Sequence, residues 1–223
     1  MELSPVRWPL RLAVFDLDGT LKEAISPWRL LHTALGFEGQ ADEYRAEFLS
    51  GRIGYLEWAR LDAALWRGTE LARVRQVFRN SAYRPGVPQL FQFLRVHGVR
   101  TAIISTGLDV QAQQVAQDLG VWRSASNELV VERGRLTGQA RVHVTEESKG
   151  EVMARFRAEA GARPEECLAV GDGPADIQLF AQAGLAIAVC PRDQAVRQAA
   201  HVVLEDGNLA PVIPLLGQRF RLT

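Results

Sequence analysis

Short, wholly apolar runs alternate along this chain with segments whose apolar residues recur every three or four positions. The first run, Leu12-Ala13-Val14-Phe15, stops abruptly at Asp16-Leu17-Asp18-Gly19-Thr20. A run that is apolar on both faces suits a central parallel strand covered by helices, and its polar ending marks the strand's carboxyl edge. From Lys22 to Arg84 the period becomes helical. Trp28, Leu30, Leu31 and Leu35 fit one helix ending near Gly36. Tyr44, Phe48 and Leu49 fit a second, Trp58, Leu61 and Leu65 a third, and Val74, Val77 and Phe78 a fourth. After Pro85-Gly86 the alternation resumes. Helices are predicted over 88–97, 109–119, 149–160, 175–183, 194–199 and 209–216, with Asp109 as an N-cap. Strands are predicted over 101–104, 167–170, 186–189 and 202–204, and Arg133-Gly134 is placed at the turn of a hairpin. The expectation is an α/β fold: a Rossmann-like parallel sheet with helices on both faces and an inserted all-helical cap. The core is assigned to residues 1–21 and 85–223, the cap to 22–84, with hinges near Lys22 and Arg84.

Composition narrows the class. The chain has 223 residues, 47% of them hydrophobic, enough for a sizeable core. Lys+Arg 26 balances Asp+Glu 26, so no global basic excess points to nucleic acid. No apolar run approaches the roughly 20 residues of a membrane helix. Two cysteines, Cys167 and Cys190, make neither a disulfide framework nor a zinc cluster. A cytoplasmic protein acting on a small molecule, with no nucleic-acid or membrane partner, is the expectation.

Three predicted strands end in polar, glycine-bearing turns: Asp16–Thr20, Ser105–Gly107 and Gly171–Asp176, with Lys149 between the last two. Ligands of open α/β sheets bind outside such strand ends. Any one turn is ordinary; their joint occurrence carries the signal. A carboxylate such as Asp16 can attack phosphorus. Lys149 can neutralise the charge spreading over a phosphoryl group, while Ser105 and nearby backbone N–H groups hold its oxygens. Asp18 is placed to act as general acid and then base. Magnesium prefers hard oxygen ligands, which Asp16, Asp172 and a backbone carbonyl near Asp18 can supply.

These motifs resemble those of the haloacid dehalogenase-like phosphatases over about Leu12 to Leu216. The resemblance implies Asp16 as nucleophile and Asp18 as acid/base. It implies phosphate contacts from Thr20, Ser105, Thr106, Gly107 and Lys149, and a Mg2+ site among Asp16, Asp18, Asp172 and Asp176. A second carboxylate in the first motif favours phosphatase chemistry over dehalogenation. The position of the helical insert, with Glu132-Arg133-Gly134-Arg135-Leu136-Thr137-Gly138 and Ala183-Gly184-Leu185-Ala186-Ile187-Ala188, is most similar to the phosphoserine phosphatases. There the likeness departs at substrate recognition. Ile25 and Asp62 fall where that family uses a cap glutamate and a cap arginine, with Glu23 and Arg60 as neighbours in a shifted register. Thr106 stands where glycine is usual and Ala175 where asparagine is usual. The cap tryptophans Trp28, Trp58 and Trp66 are read as cap core, the arginines Arg45, Arg52, Arg60 and Arg67 as solvated, and His32, His97, His143 and His201 as ordinary.

Overall fold

The computed structural model describes residues 8–24 and 26–222. Among the described residues, the strands β1 (Leu12–Phe15), β2 (Arg100–Leu108), β3 (Arg123–Glu132), β4 (Arg135–Arg141), β5 (Cys167–Gly171), β6 (Leu185–Val189) and β7 (Val202–Leu204) form one sheet. Its order is β4-β3-β2-β1-β5-β6-β7. All neighbours are parallel except the β3–β4 hairpin. The chain leaves β1 in both directions across the sheet, so the crevice at its carboxyl end is the switch point where such folds bind ligands.

Period-two alternation on the central strands divides the core in two. Ala13, Phe15, Ile103, Leu168, Val170 and Ile187 face α5 (Val87–Val96), α6 (Asp109–Leu119) and α10 (Val212–Arg219). Leu12, Val14, Ala102, Ile104, Ala169 and Ala186 face α7 (Lys149–Ala160), α8 (Ile177–Phe180) and α9 (Gln194–Ala199). Each fully buried Val, Leu, Ile or Phe side chain here contributes about 1.5–3 kcal/mol. That burial holds the carboxyl ends of β1, β2 and β5 in fixed register.

Between β1 and α5 come α1 (Pro27–Leu35), α2 (Glu38–Leu49), α3 (Tyr55–Leu65) and α4 (Leu71–Arg79). Ser26 caps α1, accepting from the Arg29 backbone N–H, and Pro27 opens its first turn. Trp28, Leu31, Trp66, Val74 and Phe78 pack together with Leu108, Val110, Leu129 and Leu136, so the helical cap shares its core with the β3–β4 hairpin. α2 is weakly anchored: Ala41 is its buried residue, and Leu49, expected on an apolar face, is 69% exposed.

Several boundaries differ from the sequence pattern. β2 does not stop at Ile104; a register shift carries it on to Leu108, paired with Asn127. Ser105–Gly107 is therefore an irregular stretch of strand rather than a turn beyond it. Asp109 is not the N-cap of α6, because the extended Leu108 takes that place. The Asp109 carboxylate instead accepts from the Leu129 N–H. The helix expected over 175–183 is shorter: Pro174–Asp176 forms a 3₁₀ turn and α8 covers Ile177–Phe180.

The two crossings between core and cap are hydrogen-bonded to each other. Glu23 N–H donates to Ala82 O and Arg84 N–H to Leu21 O. The Lys22 ammonium donates to Ser81 O at 2.7 Å and lies 3.5 Å from the Tyr83 ring centroid. Arg84 Nε donates to Gly19 O at 2.7 Å.

Candidate active site

Lys149 is the centre of the charge arrangement. It opens α7, where a helix dipole disfavours a cation, so its placement requires compensation. Two carboxylates supply it: Nζ donates to Asp16 Oδ1 at 2.6 Å and Asp176 Oδ1 at 2.7 Å. The lysine is 2% exposed. Burial alone disfavours its charged form, but the charges of Asp16 and Asp176 outweigh that and hold its pKa above the ordinary lysine value. The start of α7 is pinned by Gln178, which accepts from Gly150 N–H, and by Gln182, which donates to Gly150 O.

The acid cluster follows from the loops. Asp16 N–H donates to Val170 O, extending the parallel ladder one residue past β1. Asp176 Oδ2 accepts from Asp172 N–H and Gly173 N–H, both at 3.0 Å, which folds the turn after β5. Asp172 Oδ1 accepts from Thr20 Oγ1 at 2.9 Å. Carboxylate oxygens of Asp16, Asp172 and Asp176 come within 4.8 Å of one another. Burial, partly opposed by Lys149, raises the Asp16 pKa. Burial, with the charges of Asp16 and Asp176, pushes Asp172 up to about 8. Three hard-oxygen donors converging beside one lysine are a donor set that fits a small divalent cation.

The Asp18 carboxylate turns elsewhere. Its Oδ2 accepts from Ser105 Oγ at 3.0 Å, and Ser105 Oγ accepts from Gly107 N–H at 2.8 Å. Burial first, then the charge of Asp16, pushes Asp18 up to about 8. Oδ1 is buried without a hydrogen-bond partner among the described residues. Asp18 thus turns to Ser105, beside the cluster rather than in it, and burial disfavours its ionised form.

Gly19 and Gly107 are among the glycines at which a Cβ would not fit. Gly19 has φ 87°, and a Cβ there would collide with the Asp172 carboxylate. A Cβ on Gly107 would press on Asp18 Oδ2 and Ser105 Oγ. Gly19→Ala is expected to cost about 1–2 kcal/mol from the left-handed backbone alone and to displace Asp172. Thermal melts and phosphate-release assays of the variant check this; wild-type values in both would contradict it.

A cavity of about 630 Å³ joins this floor to the cap. Asp16, Asp18, Thr106, Gly107, Lys149, Asp172 and Asp176 line it from the core, and Trp28, His32, Phe48, Tyr55, Trp58 and Asp62 from the cap. Thr20 and Ser105 are buried behind it, on Asp172 and Asp18 respectively. Over the cavity, two cap side chains and Asn127 of β3 converge on one atom, the Thr106 carbonyl. That oxygen accepts from Tyr55 Oη at 3.2 Å, Trp28 Nε1 at 3.5 Å and Asn127 Nδ2 at 2.9 Å. Burial pushes Tyr55 up to about 12, so it remains a donor.

Asn127 and His32 are the residues that motif reading missed. Asn127 also accepts from His143 N–H and Val144 N–H and so ties β2, the hairpin and the cap together. It lies among polar neighbours, Ser126 and Glu128, outside the segments read as strands, so nothing in its local sequence signalled it. His32, read as ordinary, is 2% exposed, accepts from Trp66 Nε1 and lies 3.0 Å from Asp62 Oδ2. Trp66 is cap core as expected, while Trp28 and Trp58 serve both core and cavity wall. Asp62 reaches the cavity, but Arg60 does not: it pairs with Glu57 on the surface. Glu23 is exposed at the cap junction, and Ile25 lies outside the described residues.

The model describing the haloacid dehalogenase-like hydrolases matches residues 13–181, and the chain belongs to that family. The similarity runs to its phosphatases. The phosphoserine phosphatase of Methanocaldococcus jannaschii is 26% identical over 204 residues, 91% of this chain and 96% of that protein. That of Lactococcus lactis is 30% identical over 205 residues, 91% of this chain and 93% of that protein. A solved phospho-aspartyl intermediate analogue of phosphoserine phosphatase aligns with TM-score 0.79 at 25% identity, over 93% of this chain and 99% of that one. The enzyme class is that of a phosphatase, a hydrolase similar to the phosphoserine phosphatases. Among the described residues, no helix is long and apolar enough to cross a membrane.

Proposed function

We propose that this enzyme hydrolyses a small phosphomonoester with magnesium, through a phosphoryl group carried transiently on Asp16. The observation that carries the reading is the Lys149 bridge between Asp16 and Asp176, with Asp172 beside it on the cavity floor. Lys149 occupies Asp16 Oδ1 and fixes the carboxylate's orientation. Asp16 attacks phosphorus, and Asp18 gives its proton to the departing alcohol oxygen. Asp18, now ionised, takes a proton from water, which attacks the phosphoryl-Asp16 and releases phosphate with Asp16 restored. Thr106 and Gly107 line the cavity wall against which the phosphoryl oxygens would lie. Asp16 and Asp172 would hold the magnesium ion, with Asp176 in support and a carbonyl near Asp18, and the ion would offset repulsion between the ester dianion and the carboxylates.

The phospho-aspartyl form of the relative above supports the covalent route. Phosphoserine enters as a candidate through the same relatives. We also read residues 1–21 and 85–223 as the core domain, 22–84 as the cap, and the cytoplasm as the location; the free state of Cys167 and Cys190 accords with a reducing compartment.

The test is phosphate release from a broad panel of phosphomonoesters, with magnesium and with a chelator. Chelation is expected to lower release at least about a hundredfold. Saturating magnesium is expected to raise the melting temperature by about 5 °C, by binding the clustered carboxylates of the folded state. Absence of release from every ester, with no thermal shift, would overturn the reading.

A further inference from the structure

One charge in the cavity has no counterpart. Asp62, on α3, is 1% exposed and lines the cavity from the cap side. Its Oδ1 is buried without a hydrogen-bond partner among the described residues. Its Oδ2 lies 3.0 Å from His32 Nε2, a close but poorly aligned contact. His32 does not neutralise it. Trp66 Nε1 donates to His32 Nδ1 at 3.1 Å. An indole N–H only donates, so Nδ1 carries a lone pair and the imidazole is the neutral tautomer protonated at Nε2. No lysine or arginine pairs with Asp62 among the described residues.

A buried polar atom left unpaired is destabilising, and more so when charged. The fold nonetheless builds a framework that holds this carboxylate in place. Trp28 and His32 sit one turn apart on α1, Trp58 and Asp62 one turn apart on α3, and the two indoles pack at 5.1 Å between centroids. Burial raises the Asp62 pKa, and His32 beside it only partly opposes that rise. The arginines that touch the cavity, Arg29, Arg45 and Arg192, are exposed, and Arg29 is paired with Asp42.

Building on the phosphatase reading above, we propose that Asp62 sets the substrate class. It accepts a hydrogen bond from a protonated amine on the leaving alcohol, and the substrate is an amino-alcohol phosphate without a carboxylate. A carboxylate brought beside Asp62 in this low-dielectric wall would meet like charge with no buried cation to offset it. An amine donates to Oδ1 and supplies the missing positive charge.

The test compares kcat/KM for 2-aminoethyl phosphate, its uncharged near-isostere propyl phosphate, and O-phosphoserine. Wild type is expected to prefer 2-aminoethyl phosphate over each of the others by about thirtyfold or more. Asp62→Asn, checked for a cooperative thermal melt, is expected to collapse both ratios to within about threefold. Equal turnover of propyl phosphate, preference for phosphoserine, or ratios that survive in Asp62→Asn would each overturn the proposal. If no ester is hydrolysed, the phosphatase reading fails, and the amine preference is then read by calorimetric binding of 2-aminoethyl and propyl phosphates to the wild-type protein. Tighter binding of the former by about thirtyfold upholds Asp62 as the amine acceptor, and equal binding refutes it.

Discussion

Asp16→Asn is expected to abolish phosphate release, by about a thousandfold or more, in a protein that folds as well as wild type. The amide has the shape of the carboxylate and its oxygen still accepts from Lys149, so the bridge at 2.6 Å keeps an acceptor. What it lacks is the anionic oxygen that bonds to phosphorus. A thousandfold loss corresponds to about 4 kcal/mol of barrier. Stability is expected to hold or rise without metal, because burial makes the Asp16 charge costly and the substitution removes it. Release kinetics and thermal melts on one preparation test both halves. Activity within tenfold of wild type would end the nucleophile assignment.

Lys149→Met is the second large effect, and its character differs. The methionine fills the space but leaves Asp16 and Asp176 facing each other without a cation. Removing one partner of a buried ion pair costs about 3–5 kcal/mol, since the remaining charge stays desolvated. Turnover is expected to fall at least about a hundredfold, through loss of charge stabilisation at the phosphoryl group and of Asp16 orientation. Chemical denaturation measures the first quantity and phosphate release the second. Magnesium is expected to restore part of the stability and little of the activity, because a cation among the acids relieves their repulsion without replacing the Nζ donor. Wild-type stability without metal would show that the lysine bridge is not what holds the acids together.

The strand ends were readable because each chemical residue there follows an apolar run of its own. Asp16 after Val14-Phe15 and Asp172 after Ala169-Val170-Gly171 stand out against local pattern. The helical cap was readable for a related reason: its period persists through Trp58, Leu61 and Leu65 without a competing strand signal. Ser105–Gly107 was misjudged as a turn because small polar residues carry no period, and only pairing with Asn127 across the sheet reveals that the strand continues. Asp109 met the composition rule for a cap, yet a neighbouring strand offered its carboxylate a better donor in Leu129. His32 had no local signal at all. Its importance comes from Trp66 and Asp62, 34 and 30 residues away in sequence, and only the packing of α1 on α3 brings them together. The sign of Asp62 was visible in the sequence. That it is buried, unpaired and turned to the cavity was not.

The paired crossings at Lys22 and Arg84 make the inserted helices a detachable loop in the topological sense. Entry and exit are one backbone hydrogen bond apart, Glu23 N–H to Ala82 O at 3.1 Å. Joining those ends by a short turn adds little closure entropy, so a chain lacking the four helices keeps every strand connection of the sheet. The cost would fall on the end of β2, the start of α6 and the hairpin, where Leu108, Val110, Leu129 and Leu136 would lose their covering and form a sticky face. A different helical insert grafted at the same two points has to bring its own apolar stripe for those four residues. That stripe, more than the hinge, is the fitting to which any exchanged substrate-reading module has to conform.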